Sequence, residues 1–211
     1  MPTSLQPLAG DQAVGSSGQF YDIFLVQARA GPKIIVYMKL LFKFLDDQGL
    51  ERSVFDSWTD IQKGDFVAEW LKIVPAKWNQ ANLTTAPGGR TVPLEFHFHA
   101  RRHGETNSTD HWTITVKKGE GQSWVRRRAG TSTIFSDDLT PTYKRYRQSQ
   151  TVALHEFSHM LGHEDEYNFT LSNAREYFQF SSISNVGDEV LPRHLAHIKA
   201  WADDALKQTG R

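Results

Sequence analysis

The 211-residue chain contains no cysteine. Disulfides and thiolate metal ligands are therefore excluded, and the redox compartment cannot be read from the residues. Excess charge is missing too, since 24 Lys and Arg balance 24 Asp and Glu. That balance argues against nucleic acid, a membrane surface or a strongly charged substrate as the dominant partner. No apolar run reaches the roughly 20 residues of a membrane-spanning helix. Residues 1–18 lack the charged start and apolar stretch of a secretory signal, so localisation stays open. Methionine is scarce, at positions 1, 38 and 160 only. Apolar residues make up 39% of the chain and aromatic ones 12%, enough for one sizeable core. The expected organisation is a flexible lead-in rich in Gly, Ser and Pro over residues 1–18, then a single domain over 19–211. The run Arg126, Arg127 and Arg128 reads as a solvated loop or strand end.

The densest chemistry lies at residues 155–167, HEFSHMLGHEDEY. Residues four apart share one helix face, so His155 and His159 can aim two imidazole nitrogens at one Zn²⁺ while Glu156 flanks the metal. Zinc held by three protein ligands keeps a fourth position for water, lowers that water's pKa to about 7 and polarises a bound carbonyl. Glu156 is then the general base and later passes the proton to the leaving amine. A chance His-Glu-x-x-His match in a chain of this size arises on the order of once in a hundred or more sequences. Leu154, Phe157 and Leu161, at i, i+3 and i+7, provide a buried back face for the helix.

A third ligand is needed, and Asp165 is the leading candidate. Gly162, three residues after His159, can take the left-handed conformation that ends a helix and returns the chain towards the metal. His163 is the rival, because it continues the i, i+4 series if the helix does not stop. Glu176 is a further candidate.

The pattern HExxHxxGxxD resembles the metzincin clan of zinc peptidases, in the form whose third ligand is Asp, as in the snapalysin-like members. The residues Asp165, Glu166 and Tyr167 also resemble the DEY ending of some bacterial zinc-peptidase domains. The resemblance implies one catalytic Zn²⁺ held by His155, His159 and Asp165. Metzincins place a methionine in a tight turn below the zinc, and no Met follows Asp165. Residues 181–187 (SSISNVG) resemble that turn, with Ile183 where the methionine is expected. The cysteine switch of some metzincin propeptides is excluded by the lack of cysteine.

The order of elements is consistent with this. Residues 20–26 and 33–44 read as paired strands around a turn at Gly31 and Pro32. Residues 59–79 carry a helical stripe of Ile61, Phe66, Trp70, Ile73, Val74 and Trp78, weakened by Gly64 and Pro75. Trp58, Trp70 and Trp78 read as core. Residues 91–102 alternate strictly, with Val92, Leu94, Phe96 and Phe98 on one face and Glu95, His97 and His99 on the other. The His97 and His99 pair reads as solvent-facing rather than as a second metal site, and the strand is a candidate border of the cleft. His103 and His111 carry no assignment. Residues 112–117 and 131–135 read as short strands, and Thr140 with Pro141 as the start of a helix running to Leu161. Pro192 opens a last helix with Leu195, Ile198, Trp201 and Ala205 buried.

The expected fold is α+β and zincin-like: a twisted mixed sheet, a long active-site helix and a helical C-terminal subdomain. The upper part spans about 19–162 and the lower about 163–211. Tyr167, Tyr177 and His194 are candidates to stabilise an oxyanion. Support of Asp165 by Tyr167 and helix capping by His194 are the competing readings. The resemblance implies a zinc-dependent endopeptidase acting on protein or peptide. A toxin or effector acting on cell-wall peptide or a specific protein, and a zinc-stabilised binding module, are the alternatives. Oligomeric state is unreadable.

Overall fold

The structure is a computed structural model and describes residues 6–15, 18–45, 58–79, 82–85, 90–102, 110–168 and 174–208. His103 and the polar turn around it lie outside them. The architecture is α+β, a mixed sheet with four α-helices. In chain order its strands are β1 (Gln6–Gly15), β2 (Gly18–Ala28), β3 (Gly31–Leu45), β4 (Asn82–Thr85), β5 (Arg90–Arg102), β6 (Trp112–Lys117), β7 (Trp124–Arg126) and β8 (Thr131–Phe135). A separate hairpin joins β9 (Thr142–Tyr143) to β10 (Ser149–Gln150). The helices are α1 (Asp60–Trp78), α2 (Val152–Met160), α3 (Ala174–Tyr177) and α4 (Ala196–Gln208).

The long strand β3 organises the sheet. One of its edges pairs in parallel with β5 from Ile34 to Phe42. The other takes β2 antiparallel over 31–37 and then β6 parallel over 40–45. His111 fills the gap between these two partners: its backbone N–H donates to Lys39 O and its Nδ1 accepts from Lys39 N–H, each at 2.9 Å. Ile34, Val36, Met38, Leu40 and Phe42 occupy the buried face of β3, a period of two. β6 continues in parallel to β8, and β7 closes this end antiparallel to β8.

α1 begins with the reciprocal cap that its sequence encodes. Gln62 N–H donates to Thr59 Oγ1 at 3.2 Å, and Thr59 N–H donates to Gln62 Oε1 at 3.1 Å. The helix continues past Pro75, burying Phe66, Trp70, Val74 and Trp78 at steps of four. Ile61, expected in that stripe, is exposed. Trp58, Trp70 and Trp78 are core residues as expected.

Several boundaries differ from expectation. Residues 6–15, within the expected flexible lead-in, form β1 along β2, because the edge of β2 supplies backbone partners that polar, Gly-rich residues can use. The first hairpin turns at Arg29 and Ala30, with Ala28 opposite Gly31, so Gly31 and Pro32 already belong to β3. The helix expected from residue 140 to 161 is largely absent. Residues 142–150 form the β9–β10 hairpin, and α2 has only nine residues. Thr142, Tyr143, Arg145, Tyr146 and Arg147 are all exposed, so a helix there would have no apolar face to bury, and packing is what stabilises short helices. β5 pairs with β4 over 90–93 and with β3 over 94–102, and none of its residues lines either cavity beside His155 and Glu156. His97 and His99 on it face solvent, with His97 Nε2 2.9 Å from Glu95. The last helix is preceded by a 3-10 turn at Pro192–Leu195 and buries Ile198, Ala202, Ala205 and Leu206.

Candidate metal centre

Phe157 positions the centre. It is fully buried, with its ring 5.4–6.0 Å from those of Trp70, Trp78, Phe96 and Phe98, mostly edge-on. Such contacts add about 0.5–1.5 kcal/mol each beyond area burial and lock α2 against α1 and β5. With that face inward, His155, Glu156 and His159 point to the opposite side.

The start and end of α2 are both tied down. Thr151 N–H donates to Asp188 Oδ1 at 2.9 Å and Thr151 Oγ1–H to Oδ2 at 3.2 Å, placing a carboxylate at the helix N-terminus. At the other end Gly162 has φ 106°. His163 N–H donates to Ser158 O at 3.1 Å and Gly162 N–H to His159 O at 3.0 Å, the paired bonds of a Schellman stop. Arg127 then holds the outgoing chain, donating from Nη1 to Gly162 O at 2.6 Å and pairing through Nη2 with Glu164. The middle member of the three-arginine run thus anchors the turn rather than sitting in a solvated loop.

This turn brings Asp165 to the two histidines. His155 Nε2 and His159 Nε2 lie 3.1 Å apart, and Asp165 Oδ1 lies 3.2 Å from the first and 3.1 Å from the second. The far side of each ring decides what these atoms carry. His155 Nδ1 is 2.7 Å from Ile183 O and His159 Nδ1 is 2.8 Å from His163 O. A carbonyl only accepts, so both Nδ1 atoms bear the proton and the neutral rings present Nε2 lone pairs to one another. Gln150 Nε2, 3.2 Å from His155 Nδ1, spends its protons on Asn185 O at 2.8 Å and Gly187 O at 3.5 Å. Asp165 Oδ1 is buried with no donor. Three lone-pair atoms converging with no proton between them are a set that could hold a metal ion. Their separations fit an ion bound tetrahedrally at about 2.0–2.1 Å, whose ligand atoms stand about 3.3 Å apart. Among the described residues, this trio is the one His, Cys, Asp and Glu group that could hold a metal ion.

Burial pushes the Asp165 carboxyl up, but the adjoining His155 and His159 rings outweigh it and hold it well below the usual range. Glu156 is buried, and its Oε2 has no hydrogen-bond partner. Burial raises its pKa, and the neighbouring imidazoles only partly oppose this. A carboxylate tuned upwards beside a cation site is suited to accept a proton near neutral pH.

The rival ligand His163 turns away, donating from Nε2 to His194 O at 2.7 Å. Glu176 is not brought to the trio. Ile183 is fully buried, and its carbonyl holds His155, so the 181–187 turn lies beneath the centre. Tyr167 stacks on His155 with ring centroids 6.1 Å apart, and burial together with the nearby Asp165 carboxylate pushes its pKa up. His194 is not at the site. It is 1% exposed, its Nδ1 accepts Leu191 N–H at 3.0 Å, and its Nε2 lies 3.3 Å from Ser182 Oγ. The capping reading describes it. Glu166 also points away, receiving Arg193 Nε–H and Nη2–H at 2.7 Å each. Burial raises its pKa, but His194, Arg193 and Ser182 hold it down at about 2.

Two cavities flank the centre. The larger, about 710 Å³, lies towards Gln150, Tyr177 and the β9–β10 hairpin, and Tyr177 lines it. The smaller, about 270 Å³, lies towards His159, His163 and Arg127. Gln122, Ser123, His155, Glu156 and Tyr167 line both. Sequence reasoning missed Arg127, Gln150 and Asp188, whose partners lie 35 to 37 residues away and leave no local signal.

No protein-family model matches the chain, and no curated protein and no solved structure matches it. No helix among the described residues is long and apolar enough to cross a membrane.

Proposed function

We propose that the protein is a zinc-dependent endopeptidase of metzincin-like, zincin-type architecture. The observation that carries this reading is the convergence of His155 Nε2, His159 Nε2 and Asp165 Oδ1 within 3.2 Å, beside an unpartnered buried Glu156 oxygen. His155, His159 and Asp165 would hold the ion. Zinc bound by three such ligands lowers the pKa of a water in its open position and polarises a carbonyl.

The chain's own groups supply the rest. Glu156 takes a proton from the attacking water as its oxygen bonds to the peptide carbon. The same proton passes to the amide nitrogen as the C–N bond breaks, leaving a carboxylic acid and an amine, and the acid then gives its proton to the amine. Tyr167 lies on the wall of both cavities and donates to the developing oxyanion. β7 is the end strand of the sheet and lines the smaller cavity through Trp124 and Val125. An extended peptide adds there by backbone pairing. Ile183 serves as the apolar floor that metzincins build from methionine.

The deciding experiment compares wild type with Glu156→Gln, both zinc-loaded, on a diverse peptide library with cleavage read by mass spectrometry. Metal content unchanged and hydrolysis reduced by about 10²- to 10⁴-fold is the expected result. Biological activity persisting in the variant, or no peptide cut by wild type, would sink the peptidase reading.

A further inference from the structure

Of the two cavities flanking the centre, the larger carries cations that have no salt-bridge partner among the described residues. Its outer wall is the β9–β10 hairpin, where Lys144 and Arg145 line the space. Neither forms a salt bridge with another described residue. Asp138 feels the Lys144 charge without forming a salt bridge to it, and its Oδ2 accepts from Ser123 Oγ–H and Phe135 N–H. The one carboxylate lining the cavity is Glu156, which belongs to the reacting end. In the smaller cavity the cation Arg127 is already tied to Gly162 O and Glu164.

The hairpin is held in place over the cavity. Tyr146, at its tip, stacks on Phe180 with ring centroids 3.8 Å apart and planes 11° apart. It does so from a left-handed backbone, φ 58°, which a tyrosine adopts only when its surroundings impose it. Tyr143 and Tyr177 add hydroxyl groups to the lining. The result is an aromatic-walled cavity of ligand-site size with two unpaired cations at one end and the candidate reacting groups at the other.

We infer that this cavity selects peptides with an acidic side chain close to the bond that is cut, binding its carboxylate through Lys144 and Arg145. The inference rests on the peptidase reading for the words "bond that is cut", and its binding component stands apart from turnover. Charge-assisted bonds from Arg or Lys to a carboxylate are the stronger class of hydrogen bond, so the preference is expected to be substantial even at a partly exposed rim.

The test uses zinc-loaded Glu156→Gln protein, which should not turn substrate over, and fluorescein-labelled decapeptides differing only by Glu, Gln or Lys at matched positions. Fluorescence anisotropy at low ionic strength reads binding. Glu peptides are expected to bind about 10-fold more tightly than Gln peptides. The preference should vanish in a protein that also carries Lys144→Gln and Arg145→Gln, and turn towards Lys peptides with Lys144→Glu and Arg145→Glu. Thermal melting checks that each variant is folded; two pairs of substitutions guard against one failing. Equal binding of Glu and Gln peptides, or a preference that survives both pairs, overturns the inference. Selective binding without cleavage by wild type supports the cavity's role and refutes the peptidase reading. Cleavage without selectivity does the reverse.

Discussion

Two pairs of histidines, His155 with His159 and His163 with His194, do opposite things. His155 and His159 spend Nδ1 on backbone carbonyls, which leaves Nε2 free and aimed at Asp165. His163 spends Nε2 on His194 O, and His194 uses Nδ1 to cap Leu191 N–H. The rings of His163 and His194 are 5.1 Å apart, against 4.6 Å for His155 and His159, yet their nitrogens do not converge. Which nitrogen the backbone claims separates a candidate ligand from a buried structural imidazole. Spacing alone does not, since His155, His159 and His163 are evenly four apart.

The contrast is broken most sharply at the ligand set. Structural zinc sites are worth about 10–16 kcal/mol over four ligands, or about 3 kcal/mol each. Asp165→Ala should therefore weaken zinc binding by about 100-fold or more, measured by competition with a chelating dye. His163→Ala should leave zinc affinity nearly unchanged; the reverse pattern would make His163 the ligand. Arg127→Ala comes next. It frees Gly162 O and Glu164 without touching a ligand, so zinc affinity should fall by about 10- to 100-fold, as for other groups that orient ligands. A variant with normal affinity would show that Gly162 alone sets the turn.

His163→Ala has its own cost, in stability rather than metal. It leaves His194 O without its donor, which should lower unfolding free energy by about 1–3 kcal/mol in urea titrations. The smallest expected effect is on pH dependence. Burial, with the nearby His194 charge, pushes the His163 pKa down to about 4, whereas an unfolded imidazole titrates near about 6.5. Between those values the unfolded chain binds a proton that the native one refuses. The stability from keeping His163 neutral is thus complete above about pH 6.5 and is lost as pH falls towards 4, by up to about 1.4 kcal/mol per unit. In the presence of chelator, His163→Gln should show a shallower fall than wild type over that window. Identical slopes would place the titrating group elsewhere.

Much of the fold was legible because local chemistry announced it. The stripe of Phe66, Trp70, Val74 and Trp78 marked α1, the alternation from Val92 to Phe96 marked β5, and Gly162 marked the end of α2. The stretch from 140 to 150 was misread because Thr140 and Pro141 imitate a helix start, whereas the residues after them have no face to bury. The lead-in was misread because a strand of polar and Gly-rich residues depends on its partner for its hydrogen bonds. At the site, His155, Glu156 and His159 were readable as candidates from spacing and Asp165 from the Gly162 stop, with His163 left as a rival. The exclusion of His194 was not, since its place under Trp78 and beside Ser182 is a matter of packing between distant segments.

The sequence by itself determined which groups could bind a cation and where the chain must turn, because i, i+4 spacing and a glycine's tolerance of positive φ are local properties. Only the tertiary structure decided which nitrogen of each histidine is free, which arginine anchors the turn and which cations face the cavity. Those choices depend on donors and acceptors brought together from tens of residues away, and burial makes each pairing costly to leave unmade.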